Sequence, residues 1–152
     1  MKTPVASIKS QLSTGDLGFL ITGVRNAIWS SIERELQPLD ITAAQFVVFN
    51  TIAKGRGSTI GDLCRVLGYD SGAMTRLLDR IESKGLVRRV ANPDDRRSYL
   101  VELTEQSAAV VPKARRQVQA VFGELLQGFD ERAAAALKAS LEKILENAAR
   151  SA

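Results

Sequence analysis

Five charged side chains near the middle of this chain have the type and spacing to read a nucleic acid: Arg76, Arg80, Asp95, Arg96 and Arg97. A guanidinium can fork onto guanine in the major groove, worth about 1–3 kcal/mol of discrimination. It is also drawn to the negative potential of a narrow minor groove. Arg76 and Arg80 lie four residues apart, so in a helix they share a face. Ser71, Gly72, Ala73 and Thr75 precede them and would sit outward on the N-terminal half, the half that meets base edges when a helix enters the groove. Arg76 is the foremost candidate there. The other reading leaves Arg76 and Arg80 solvated, or paired with Asp79 and Glu82 on the same helix. Asp95 looks wrong for DNA, because a bare carboxylate repels phosphate; it makes sense as a brace that orients Arg97. The alternative is an Asx-type turn with solvated arginines. Ser58, Thr59, Arg65 and Lys84 are phosphate-contact candidates of low specificity.

Other chemistry is poorly supplied. The 152 residues contain no histidine, which removes imidazole acid–base catalysis and the commonest zinc ligand. There is no Gly-rich phosphate loop and no evident carboxylate pair, so no catalytic residue, metal or cofactor is expected. The one cysteine, Cys64, excludes an intrachain disulfide and reads as a structural thiol between Leu63 and Arg65. A net charge of +4 and a pI near 9.5 fit a nucleic-acid partner only weakly, so placement of the charge must carry the argument. No run approaches the roughly 18 apolar residues of a membrane span. The N-terminal MKTPVASIKSQLSTGD lacks an apolar signal core, which points to the cytoplasm and away from a membrane partner.

Around these residues the spacing predicts a specific scaffold. Thr42 to Gln45 is a capping box opening a helix to about Ala53. Thr59, with Asp62 three residues later, starts another with Ile60, Leu63, Val66 and Leu67 on one face. Asp70 caps the next helix, whose buried side is Met74, Leu77, Leu78 and Ile81, and Gly85 ends it. Residues 86–90 and 99–103 read as the strands of a hairpin, joined by a charged turn from Ala91 to Ser98. Two short helices with a tight turn, then a hairpin, make a winged helix-turn-helix.

The flanking segments are helical. Residues 1–14 are expected to be loosely ordered. A helix from Asp16 carries Leu17, Leu20, Ile21, Val24, Ile28, Ile32 and Leu36, and stops at Pro38. Phe19 and Trp29 sit at its edges, as core or interface residues or as walls of a ligand pocket. After Thr104 comes a long helix with an apolar seam, interrupted by Pro112, and Asp130 opens a last one with Leu137, Leu141, Ile144 and Leu145. One protomer would leave these stripes wet, and a second copy related by a two-fold axis would bury them. The predicted class is therefore mainly α with a small β-hairpin wing (α+β). Residues 1–38 and 104–152 form a helical dimerisation region, and residues 39–103 the winged DNA-binding domain.

The segments PLDITAAQF at Pro38–Phe46, GAMTRLLDRIESKGLVRR at Gly72–Arg89 and NPDDRRSYLVELT at Asn92–Thr104 resemble the MarR family of bacterial transcription regulators. The resemblance spans roughly residues 15–148. It implies a homodimer whose two winged lobes bind a pseudo-palindromic, double-stranded operator, mostly as a repressor. It also implies that Asp95-Arg96-Arg97 is the wing motif, with Arg97 in the minor groove and Arg76 in the major groove. Many such regulators are released by small phenolic or aromatic acids such as salicylate. For this chain that suggests Phe19, Arg25, Trp29, Phe46, Phe49 and Asp70 near the junction of the lobes, with Ala73, Thr75 and Arg89 at positions where such ligands sit. Redox-sensing relatives keep a cysteine in the first helix, and this chain has none there. The competing reading is an effector-independent winged-helix module that binds protein or RNA; it predicts an apolar or acidic outward helix face and no arginines at the wing tip.

Overall fold

The computed structural model describes residues 14–151. The expectation of loose order for residues 1–14 therefore lies, Thr14 apart, outside the described residues. A first compact unit ends at Val121, and a second begins at Phe122.

The first unit opens with helix α1, Thr14–Leu36. Its apolar stripe divides: Leu17, Leu20, Ile21 and Val24 are exposed, whereas Ile32 and Leu36 enter the core. Pro38 then sits in a 3-10 turn, Gln37–Leu39, closed by Asp40 in the left-handed region (φ 54°). Helix α2, Ala43–Ala53, begins with the expected capping box, Thr42 Oγ1 accepting from the Gln45 N–H and Gln45 reaching back to Thr42. A carboxylate from α1 adds to it, because Glu33 accepts from the Ala43 N–H at 2.6 Å. Helix α3, Ile60–Leu67, uses Thr59 and Asp62 in the same way and ends on Gly68 in the left-handed region. Helix α4 is Ser71–Ser83, with Asp70 as its N-cap.

The hairpin consists of β1, Val87–Ala91, and β2, Tyr99–Leu103, antiparallel with Arg89 opposite Val101. The second strand has the expected bounds, and the first starts one residue later than expected. Leu86 stays with the helix because its N–H donates to the Ile81 carbonyl, closing the end of α4 at 3.2 Å. A short third pairing was not foreseen: Thr59 bridges Leu100, and the Val101 N–H donates to the Ser58 carbonyl at 2.8 Å.

Helix α5, Glu105–Leu125, starts under Thr104, whose hydroxyl accepts from the Ser107 N–H. Pro112 lies inside it, on the exposed side together with Ala108, whose carbonyl loses its helical donor toward water. Val111, Ala114, Val118 and Val121 line its buried side. The core joins these to Ile32 and Leu36 of α1, Phe46 and Phe49 of α2, Leu63 of α3, Met74 and Leu78 of α4, and Val87 and Val101 of the hairpin. Each such side chain removed from water contributes about 1.5–3 kcal/mol.

The second unit carries helix α6, Glu131–Ser151, capped by Asp130, which accepts from the Ala133 N–H at 2.7 Å. None of its residues is buried, and Leu137, Leu141, Ile144 and Leu145 are all exposed. Among the described residues no helix is long and apolar enough to cross a membrane. The fold is mostly helical with one two-stranded hairpin, as expected.

Candidate nucleic-acid interface

Helix α4 is anchored at its start by Asp70, whose carboxylate accepts from the Ala73 N–H at 2.8 Å. That bond, helped by the Gly72 N–H and the nearby Arg76, holds the Asp70 carboxyl below its ordinary value against a smaller desolvation push. Gly72 lies close beneath both groups: a Cβ there would stand 3.2 Å from Asp70 Oδ1, a tight contact, and 3.5 Å from Arg76 Nη1. Met74, Leu77, Leu78 and Ile81 hold the opposite side of the helix in the core. Ser71, Thr75, Arg76 and Arg80 are left exposed, with Ala73 half-buried beside them. The Thr75 hydroxyl donates to the Ser71 carbonyl at 2.7 Å, which leaves its oxygen free to accept.

The pairing of Asp79 and Glu82 removes one alternative for this face, ion pairs from Arg76 and Arg80 to these acids. Both carboxylates are taken by Arg89 of β1, Nη2 lying 2.7 Å from Asp79 Oδ1 and Nη1 2.7 Å from Glu82 Oε2. Neither Arg76 nor Arg80 forms an ion pair with them. The helix therefore presents positive charge outward and keeps its acids turned toward the hairpin. Arg88, next in sequence, points the other way and pairs with Glu102 across the strands at 2.8 Å.

The turn between the strands is built by its own polar side chains. Asn92 Nδ2 donates to Ser98 Oγ at 2.8 Å, and Asn92 Oδ1 accepts from the Asp94 N–H at 3.0 Å. Asp95 Oδ1 accepts from the Arg97 N–H at 2.9 Å. Asp95 thus forms the Asx-type turn of the alternative reading, its bond going to the main chain of Arg97 and not to the guanidinium. Asp94, Asp95, Arg96 and Arg97 are exposed at the tip. The role of Asn92 and Ser98 was missed, although Asn before Pro93-Asp94 is a turn signal.

The weaker phosphate candidates are largely engaged within the fold. The Thr59 hydroxyl serves the cap of α3, donating to Asp62 Oδ2 at 2.8 Å. Arg65 lies 3.3 Å from Asp62 while remaining well exposed. Lys84 Nζ pairs with Asp40 at 3.0 Å and donates to its carbonyl at 2.6 Å. The Ser58 carbonyl holds the hairpin.

The suggested effector residues are not brought into one cavity. Phe46 and Phe49 are buried in the core, whereas Phe19 is 80% exposed on α1. Arg25 stacks over the Trp29 ring, 5.3 Å from its centroid. Trp29 lines a cleft of about 730 Å³ together with Glu33, Arg34, Gln37, Asp40 and Thr42. Ala73 instead lines a separate groove of about 250 Å³ with Thr42, Ala44, Tyr69, Arg76, Leu77 and Arg80. Thr75 stays on the exposed face of α4, and Arg89 already donates to two carboxylates. Among the described residues no cluster of His, Cys, Asp or Glu could hold a metal ion.

An exposed basic helix beside an arginine-tipped hairpin is the architecture of known regulators. The MarR family model matches residues 39–98. The multiple antibiotic resistance protein MarR of Escherichia coli (strain K12) is 40% identical over 130 residues, covering 85% of this chain and 90% of the relative. Its Salmonella typhimurium counterpart is 39% identical over the same length. Among solved structures, a mutant of Escherichia coli MarR complexed with operator DNA superposes with a TM-score of 0.78 at 40% identity, over 86% of this chain and 94% of that one. A MarR transcriptional regulator from Methanosarcina mazei Go1 gives a TM-score of 0.81 at 25% identity, over 91% and 100%. With a relative this similar over nearly its whole length, and the winged-helix fold in place, the chain belongs to the MarR family of DNA-binding transcription regulators.

Proposed function

We propose that this chain is a homodimeric repressor that binds a pseudo-palindromic operator. In this reading Ser71, Ala73, Thr75, Arg76 and Arg80 of α4 face the major groove, and Arg96 and Arg97 follow the minor groove with Asp95 as the brace of their turn. The observation that carries it is the sorting of charge on α4: Arg89 occupies Asp79 and Glu82, and Arg76 and Arg80 stay exposed. A protein- or RNA-binding module would call for an apolar or acidic outward face instead.

Residues 39–103 are the DNA-reading lobe in this proposal, and residues 1–38 and 104–152 the dimerisation region. The exposed stripes on α1 and α6 support it, since a two-fold partner is the commonest cover for such faces. Two lobes held by one dimer would read half-sites one helical turn apart.

Release by a small aromatic acid such as salicylate completes the proposal. The groove under Ala73 offers Leu77 and Tyr69 as apolar walls and the guanidiniums of Arg76 and Arg80 as partners for a carboxylate. A ligand there would compete for the side chains that meet DNA.

The test is a gel shift on the intergenic DNA upstream of the chain's own reading frame, with and without salicylate. A tight, salt-sensitive shift released by salicylate is the expected result. A shift indifferent to salicylate would remove the ligand and keep the regulator. No shift at low salt, with folded protein, would remove self-regulation through that DNA.

A further inference from the structure

Arg89 is the only described side chain that ion-pairs α4 to the hairpin, and it does so with all of its outer nitrogens. Its Nη1 donates to Glu82 and its Nη2 to Asp79, each at 2.7 Å; Nη2 also lies 3.4 Å from the Thr75 carbonyl. The main chain joins in, because the Arg89 N–H donates to Glu82 Oε1 at 3.1 Å. The Arg89 side chain is 22% exposed, Glu82 37% and Asp79 56%, so the pair with Glu82 is the better shielded from water and salt. The reach matters more than the number of bonds. From strand β1 the guanidinium runs back along α4 to Asp79 and Thr75, toward the half that carries Arg76. The covalent link between helix and strand is only Lys84 to Leu86, with Gly85 in the left-handed region (φ 70°). That link joins the far end of the helix and leaves the reading half to be placed by side chains.

We propose that Arg89 is the positioning residue that makes α4 and the wing a single reading unit. Held together through Asp79 and Glu82, Arg76 and Arg97 meet one duplex in a fixed relation. This rests on the proposed groove contacts of those two arginines, and it assigns Arg89 no contact with DNA. It also differs from a ligand role for Arg89, whose donors the fold already uses.

The test is a double-mutant cycle on operator affinity, read with the salt dependence of binding. In the parent protein, Arg97→Ala should cost about tenfold and reduce the salt slope by roughly one ion. In an Arg89→Gln background the wing no longer registers with the helix. Affinity should already be lower by about tenfold, and Arg97→Ala should then cost less than about twofold with no further change in slope. Asp79→Asn with Glu82→Gln breaks the same bridge from the helix side and should produce the same loss of coupling, even if Arg89→Gln folds poorly. Equal costs of Arg97→Ala in all three backgrounds would overturn the proposal while leaving the groove contacts in place. A parent protein indifferent to Arg97→Ala would overturn the groove reading and this proposal with it.

Discussion

The segment from Thr42 to Leu103 and the helices at the two ends place their apolar side chains in opposite ways. Within the former, α2, α3, α4 and the hairpin each turn apolar side chains inward: Phe49, Leu63, Met74, Leu78, Ile81 and Val101 are fully buried in one protomer. In α6 no residue is buried, and the first half of α1 leaves Leu17, Phe19, Leu20, Ile21 and Val24 to solvent. The winged lobe is closed within one protomer, because its caps and hairpin satisfy one another and Ile32 and Leu36 of α1 with Val111, Ala114 and Val118 of α5 complete its core. The terminal helices are amphipathic stripes that lack their second side. The difference teaches where each half of the proposed function resides: reading in a finished lobe, and assembly in faces that remain open.

The comparison breaks most severely at the open faces. Leu141→Glu would force a carboxylate into the proposed dimer interface, a burial that costs several kcal/mol in each copy. Sedimentation at micromolar concentration should then find monomer, and operator affinity should fall by about a hundredfold or more; an intact dimer would move the interface away from α6. Next in size is Arg76→Ala. It should cost about 1–3 kcal/mol of operator binding and relax discrimination at one base pair, measured with a panel of single-site operator variants. An unaltered base preference would take Arg76 out of the major groove.

A smaller effect sharpens the claim that the lobe closes within one protomer. Thr42→Ala removes one half of the capping box on α2 and should lower stability by about 1 kcal/mol in a denaturant melt, with oligomeric state unchanged. The smallest is a dependence on acid. Asp62, bonded chiefly by the Thr59 hydroxyl, and Asp70, bonded chiefly by the Ala73 N–H, both sit below the ordinary value of 3.8. The folded state therefore holds these protons less readily than the unfolded chain. Their stabilisation is present above pH 3.8 and fades as pH falls through the lowered values. Melting temperatures of Asp62→Asn and Asp70→Asn should therefore decline less steeply than the parent's over that acid range, and identical slopes would assign the acid response elsewhere.

Much of the lobe was legible in the sequence because its signals are local. Thr42, Thr59, Asp70, Thr104 and Asp130 each accept from a nearby N–H, a bond that needs no knowledge of the rest of the fold. The second strand, YLVEL, is a short run of mostly apolar residues between a turn and a helix cap. What could not be read was long-range. The pairing of residues 58 and 59 with β2 is too short to leave a periodicity. Arg89 found its acids seven and ten residues back across a turn, and the charge pattern alone fitted Arg76 and Arg80 equally well. Lys84 found Asp40 from 44 residues away. Aromatic residues mislead in another way: Phe46 and Phe49 suited a pocket wall by type, yet the helix phase that buries Val48 and Thr51 places them in the core.

The short bridge at residues 58–59 has a consequence for motion. It gives β2 a partner on each side at Leu100 and Val101, while the seven residues between the strands rest on bonds made within their own turn. The hairpin is thus a lever clamped at its root. Amide protons at Val101 and Glu102 should exchange slowly with solvent deuterium, and those from Asp94 to Arg97 quickly. A root held on both sides passes the position of β1, and of the helix beside it, on to the tip, so that its arginines approach a groove from a set direction.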